Sequence, residues 1–591
     1  MTKTNQGAVR PETPVPSAPQ TGTWVSDGIA DVLRALDIPF ICLNPGASYR
    51  GLHDSIVNHL GNTRPQMLVC LHEEHAVAIA HGYAKVTGKP LAVGLHSNVG
   101  LMHGSMGIFN AWCDRAPMVV LGATGPVDAA KRRPWIDWIH TSTDQAALVR
   151  PFTKWDNQPA SLPAAQEALL RAYQIAATMP KGPTYVVLDA GLQETRLAEA
   201  APVPDAGRYA PPIAPPPAPE SLDSAASLLR KAKRPVILAG RVSRSQDDWD
   251  RRVALAERLG AQVVTDLRVA ASFPTDHPLH AAVVGVLPNP AAYEAVRQAD
   301  VILSLDWIDL AGMLKASFEQ KPITPKIVHA SIDRYIHNGW SMDHQGLPPV
   351  DVDILALPDP LVAGLLERLG KAAAPKPVAK VAPAATPLPK AIDLGFLAQC
   401  VNEALGDKPT TFARFPLGWA DTLRHFRAPL DYVGYDGGAG IGSGPGNTVG
   451  VALALKGSGR LTAAIIGDGD FLMSSSALWT AAHYKIPLLL IVANNRSYFN
   501  DELHQERVAK ERQRPVENRW IGQQIRDPDV DLAGLARAQG CIGYGPVEGP
   551  GELTATLKRA IADAEHAPVL VDVRVQPGYQ TVAPSPPINR M

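Results

Sequence analysis

Cysteine is scarce: five residues in 591 (Cys42, Cys70, Cys113, Cys400 and Cys541), scattered without the spacing of a metal knot or a disulfide framework. Each reads as a small buried apolar residue, and a reducing, cytoplasmic setting is the expectation. Excess charge of either sign is lacking too. Lys+Arg 56 against Asp+Glu 57 leaves a net charge of −1, so nothing marks a nucleic-acid or acidic-membrane partner, and small metabolites remain. No apolar run approaches the roughly 20 residues of a membrane span. The opening "MTKTNQGAVRPETPVPSAPQTG" has no apolar core, so it is not a signal peptide, and residues 1–21 read as a disordered tail. A dinucleotide fingerprint of the G-x-G-x-x-G kind is also missing from the middle of the chain, at "ILAGRVSRS" and "SLDWIDLAG".

What is present is 46% hydrophobic residues, enough for several cores, and two Pro/Ala-rich stretches that cannot pack one. Read as linkers at 197–221 and 371–389, they divide the chain into blocks at 22–196, 222–370 and 390–591. Each block alternates helical segments with short apolar runs. The first has "FICLNPG", "MLVCLHEE", "LAVGLH", "MVVLGA" and "TYVVLDA"; the second "RPVILAG", "AQVVTDL", "ADVILSLDW" and "PKIVHASID"; the third "TTFARF", "RLTAAIIGDGD", "IPLLLIVANN" and "PVLVDVRV". The alternation predicts an α/β protein of three parallel-sheet, Rossmann-like domains.

The third block holds the most telling stretch, "IIGDGDFLMSSSALWTAAHYKIPLLLIVANNRSYFN". Two buried strands flank a helix, and a right-handed crossover brings the loops after both strands to one crevice. Asp468 and Asn495 can therefore meet. A carboxylate and an amide oxygen suit a hard cation such as Mg²⁺ beside phosphate oxygens, and Gly467 and Gly469 let a diphosphate approach the backbone. A tight Asp-Gly turn and an Asn-rich turn would explain the same letters without a ligand.

Three separated signals decide between these: GDG with NN 27 residues on, Glu73 nine residues before "GYA" in "LHEEHAVAIAHGYAKVTGKP", and the three-block order. Together they resemble the thiamine-diphosphate enzymes of the benzoylformate decarboxylase, pyruvate decarboxylase and acetolactate synthase superfamily. The resemblance implies that Asp468, Asn495 and the backbone oxygen of Ser497 hold Mg²⁺, with Gly467, Gly469 and Asp470 around the diphosphate. Glu73, or its neighbour Glu74, would hold the pyrimidine ring across a subunit interface and favour its imino tautomer. In "DGGAGIGSGPGNTVG", Ile441 would wedge the cofactor into a bent shape, since a β-branched side chain is stiff, and the Ala439 oxygen would accept from its amino group. The minimal unit would be a homodimer, with a homotetramer common among relatives.

Local matches lean toward benzoylformate decarboxylase: "NPG" at 44–46, "LHSNVGLMHGSMGIFNAW" and "SALWTAAHYKIP". His96 falls on the active-site histidine of that family, and His140, in "WIHTSTDQ", is a second candidate acid/base. Departures are informative. Ala47 stands where that family has a catalytic serine, so Ser48 would have to shift to compensate. "ARFPLGWAD" replaces a hydroxyl-rich loop, and Asn500 and Asp501 stand where the family is apolar, Asp501 at the place of a pyruvate decarboxylase carboxylate. His504 and Gln505 line the pocket or face solvent, while His103 and Tyr498 read as packing. The resemblance implies a non-oxidative decarboxylase of small 2-oxo acids, a lyase with possible carboligase activity. An acetolactate-synthase-like transferase, or a lyase or hydrolase of a diketone or acyl-CoA, is the alternative, and a cofactor-free scaffold the third reading. FAD, bound by some relatives in the central block, is possible but not favoured.

Overall fold

Buried apolar runs form the strands, and the strands form three sheets. A computed structural model describes residues 12–15, 24–285, 289–319, 321–333, 346–370, 388–420 and 423–578. The first sheet holds β1 (Phe40–Leu43), β2 (Gln66–Val69), β3 (Leu91–Leu95), β4 (Met118–Thr124), β5 (Asp156–Asn157) and β6 (Pro183–Asp189), in the order β2-β1-β3-β4-β6-β5. The second holds β7 (Pro235–Ala239), β8 (Gln262–Asp266), β9 (His280–Val284), β10 (Val301–Leu305), β11 (Lys326–Ala330) and β12 (Val352–Ile354), ordered β12-β11-β10-β7-β8-β9. The third is β13 (Thr410–Phe412), β14 (Leu461–Gly467), β15 (Leu488–Asn494), β16 (Ile542–Val547) and β17 (Pro568–Arg574), ordered β13-β14-β15-β17-β16. Every pairing between these strands is parallel. The chain is thus α/β, with the three parallel sheets its sequence predicts.

Helices on both faces explain why β14 and β15 read as unbroken apolar runs: both faces are covered, so no polar face is needed. The four strands that no apolar run announces, β5, β9, β12 and β16, all lie at sheet edges. The first and third blocks share one core, in which Leu68, Val77 and Ile79 pack with Val449, Val451 and Leu478. The contact is closest where helix Glu73–Thr87 meets helix Gly444–Leu455. A Cβ on Gly450 would lie 2.0 Å from the Ile79 oxygen, so only glycine lets the two backbones touch. Thr480 Oγ1 donates to the Val69 oxygen at 2.9 Å and Tyr484 Oη accepts from Val69 N–H at 2.9 Å, joining the end of β2 to the third block.

Two local expectations need amending. The stretch read as a linker at 197–221 is ordered: it carries a 3-10 turn at Ala206–Tyr209 and enters helix Pro219–Lys231, with Pro at the helix start. Gln166 Nε2 donates to the Pro202 oxygen at 3.1 Å, and Leu197 and Ala201 pack on the first core. The segment after β14 is not a loop and one helix but two helices, Asp468–Ser474 and Ala477–His483, so the acidic motif begins a helix. Of the tail, residues 12–15 are described, and Glu12 pairs with His483 at 2.9 Å; the rest of 1–21 and most of the stretch 371–389 lie outside the described residues. Among the described residues no helix is long and apolar enough to cross a membrane.

Candidate active site

The carboxyl ends of β14 and β15 open into a cavity of about 300 Å³. Gly467, Asp468, Gly469 and Asp470 line it from one strand end, Asn495 and Ser497 from the other, and Ala439 and Ile441 from the glycine-rich turn. All eight residues assigned by sequence to the diphosphate, the cation and the bent cofactor therefore share one space. Asn500 and Asp501, in the first turn of helix Phe499–Glu511, form its polar wall. His504 is exposed and bonds the Asn500 amide at 3.1 Å, and His504 and Gln505 stay outside the lining.

The electrostatics of the carboxylates differ. Asp468 is 3% exposed, and burial lifts its carboxyl to about 6 despite help from the amides of residues 468 and 469. Asp470 is committed to the chain: it pairs with Arg414 Nε at 3.0 Å and accepts from the Gly442 and Gly444 N–H groups at 2.6 and 3.2 Å. Arg414 also holds Asp436 at 2.5 Å and Ser443 Oγ at 3.2 Å. Asp470 thus fixes the turn that carries Ala439 and Ile441, and its contact with a diphosphate is not needed to explain it. Ala439 itself adopts φ +54°. Asn495 Oδ1 accepts from Ser497 N–H at 2.9 Å, which orients the amide oxygen, while the Ser497 hydroxyl bonds Glu502. Tyr498, read from sequence as packing, lines the cavity, and its ring lies 2.5 Å from where a Cβ on Gly469 would stand.

A second group of residues assigned by sequence to the site sits on the first block, outside this lining. Glu73 opens helix Glu73–Thr87, is 8% exposed, and lies 3.1 Å from His103 Nδ1. Glu74 belongs to the other side: burial and the carboxylates of Asp470 and Asp436 in the same chain raise its pKa. His72, Glu73 and His103 converge within 4.8 Å, yet the two imidazoles stack nearly parallel at 5.1 Å, so their in-plane lone pairs do not meet at one ion. His96 is the residue before helix Ser97–Cys113, without a side-chain capping bond, and the His140 ring stands edge-on to it at 4.9 Å. His140 is therefore beside His96, not an isolated surface residue. Ser48 does not replace the hydroxyl missing at Ala47: its Oγ bonds His96 Nδ1 at 2.8 Å. Sequence reading missed Arg414 and set His103 aside. The signal for the first was a charge directly after a strand, in "TTFARF"; that for the second was another histidine on the same face of its helix, seven residues after His96.

A larger cleft, about 670 Å³, lies where the central block meets the other two. Most of its charged groups are already paired: Arg241 with Asp306 and Asp333 at 3.1 and 2.7 Å, Arg115 with Asp333 at 2.7 Å, and Lys85 with Asp114 at 2.9 Å. Arg244 and Lys181 reach the oxygens of Val433 and Gly88 at 3.2 and 2.7 Å.

Comparison with known proteins matches this architecture block by block. Residues 23–148, 222–338 and 416–573 match, in turn, the N-terminal TPP binding, central and C-terminal TPP binding domains of the thiamine pyrophosphate enzymes. The chain is 27% identical to benzoylformate decarboxylase of Pseudomonas aeruginosa, over 86% of this chain and 91% of that one. It is 24% identical to acetolactate synthase of Bacillus subtilis, over 93% and 92%. The solved structure of a thiamine diphosphate-dependent 4-hydroxybenzoylformate decarboxylase from Rhodococcus jostii superposes with a TM-score of 0.75 at 22% identity, covering 94% of this chain and all of that one.

Proposed function

The chain belongs to the thiamine pyrophosphate enzyme family, and from that premise we propose that it decarboxylates a small 2-oxo acid without oxidation, using thiamine diphosphate and Mg²⁺. One observation carries this reading: a single cavity runs from the Gly467–Asp468–Gly469 and Asn495–Ser497 end to the Asn500–Asp501 wall. The donor set fits the cofactor. Asp468 is a buried carboxylate raised to about 6, with no ion-pair partner among the described residues, as a cation ligand awaiting its charge would be. With the Asn495 amide oxygen and a backbone oxygen of Ser497 it offers the hard ligands that Mg²⁺ takes. Gly467 has nothing within 4 Å of where its Cβ would be, which leaves room for a diphosphate.

Bound thiamine diphosphate supplies the electron sink that receives the pair released when the carbon–carbon bond breaks. The chain does the rest. Ile441 shapes the space, Arg414 and Asp470 hold the turn that presents it, and Asn500 and Asp501 meet the substrate. Glu73, 3.1 Å from His103 Nδ1, would hydrogen-bond the pyrimidine ring. Glu73 and His96 do not line the cavity of their own chain, and Leu71, Met102 and Met473 are exposed apolar residues. Both facts support a homo-oligomer in which one chain's Glu73 completes its partner's cavity, with a dimer as the smallest unit.

The test is CO₂ release from small aliphatic to aromatic 2-oxo acids by protein loaded with thiamine diphosphate and Mg²⁺. Release that falls at least about 100-fold in Glu73→Gln is expected. A second reading, ligation of the bound carbanion equivalent to an acceptor carbonyl as in a transferase, draws on the polar Asn500–Asp501 wall. Hydroxyketone product in place of aldehyde would favour it. Absence of both products from cofactor-loaded protein would overturn the decarboxylase assignment.

A further inference from the structure

Ser48 surrounds one nitrogen of His96 with donors. It sits 4% exposed in the 3-10 turn Ala47–Tyr49, directly after Gly46. Its Oγ is 2.8 Å from His96 Nδ1, and its backbone N–H points to the same nitrogen at 3.3 Å. Ser97 N–H in turn donates to Ser48 Oγ at 3.2 Å. Accepting from Ser97 leaves the one hydroxyl proton of Ser48 free to be donated to Nδ1. The backbone N–H can only donate. Nδ1 must therefore keep its lone pair, and the ring proton sits on Nε2. Gly46 makes the arrangement possible, because a Cβ there would fall 2.2 Å from His96 Cγ.

We infer that Ser48 is a positioning residue that locks His96 in the neutral, Nε2-protonated tautomer, so that His96 meets the substrate as a hydrogen-bond donor and not as an imidazolium acid or a base. The groups facing the ring are His140 and Arg133, which oppose a second proton, Glu73, which favours one, and the Tyr49 ring, edge-on at 6.5 Å. Burial is the largest opposition, ahead of any of these charges, and the imidazole is held below its ordinary range. The donor's role toward substrate rests on the decarboxylase reading; the tautomer does not.

The two are separated by measuring His96 alone. Deuterium exchange at imidazole C2, followed against pH by peptide mass spectrometry on the full chain, gives its titration midpoint. Wild type should titrate below the usual histidine value of about 6.5. Ser48→Ala should raise the proton affinity of His96 roughly five- to tenfold, the worth of one hydrogen bond, and Ser48→Thr should restore the wild-type midpoint. In the CO₂ assay Ser48→Ala should lower kcat more than it raises KM, and the acid limb of the rate profile should move up with the midpoint. Equal His96 midpoints in wild type and folded Ser48→Ala would overturn the proposal. If Ser48→Ala does not fold, a wild-type midpoint at or above the usual value would do the same. A shifted midpoint in a protein that releases no CO₂ would leave the tautomer standing and sink the decarboxylase reading instead.

Discussion

The third and central sheets are the same parallel architecture with opposite treatment of their strand ends. In the central sheet the carboxylates there are neutralised on the spot: Asp266 by Arg268 at 2.7 Å, Asp306 by Arg241 at 3.1 Å, Asp333 by Arg115 at 2.7 Å. In the third sheet Asp468 ends β14 between two glycines, buried, facing an open cavity and raised to about 6. A paired carboxylate is structure; an unpaired buried one is held for something that arrives with positive charge. Gly467 matters as much as the acid, because it keeps the space beside it empty, while Gly469 makes room for the Tyr498 ring.

The contrast can be broken most severely at Asp468. Asp468→Asn should weaken Mg²⁺-dependent binding of thiamine diphosphate by 100-fold or more in titration calorimetry, since one ligand is lost outright, and should leave the fold intact. Asp306→Asn should do the reverse. Leaving Arg241 with one fewer counter-charge in a partly exposed pair should cost about 1–3 kcal/mol of stability in denaturant unfolding, with cofactor affinity unchanged in the folded protein.

Proton competition sharpens the comparison further. The folded-state pKa of Asp468 lies above its unfolded value, so the folded protein binds a proton that the unfolded chain releases between about 4 and 6. Without metal, stability should therefore fall as pH rises through that window, by about 3 kcal/mol at most. Asp468→Asn should flatten this slope. Mg²⁺ affinity should run the other way, dropping roughly tenfold per pH unit below about 6 as the proton displaces the ion. A flat Mg²⁺ affinity from pH 7 to 5 would mean that Asp468 is not the ligand.

The last effect concerns the frame around both half-sites. Gly450→Ala places a methyl against the Ile79 carbonyl and should cost about 1–3 kcal/mol, seen as a lowered Tm, because the first and third blocks share that core. An unchanged Tm would show that the two helices can part without cost.

The sequence by itself determined the three parallel sheets and the placing of Asp468 and Asn495 at neighbouring strand ends. Central strands are covered on both faces and must be apolar throughout, so β14 and β15 announce themselves, and Asp468 and Asn495 follow at fixed places after them. Edge strands such as β16 carry no such signal, with Gly545 and Pro546 inside and only Val547 buried, because one side of the strand needs no partner. Letters favoured Glu73 over Glu74 only through the nine-residue offset to Gly82. The helix start separates them, turning Glu73 to His103 and Glu74 toward the chain's own third block. The same holds for Asp470, whose letters match a diphosphate ligand but whose oxygens go to Arg414 and two amides. Only the tertiary structure decided these, and the bond from Ser48 to His96, because partners 48 residues apart are chosen by which loops the sheet brings together and not by any local pattern.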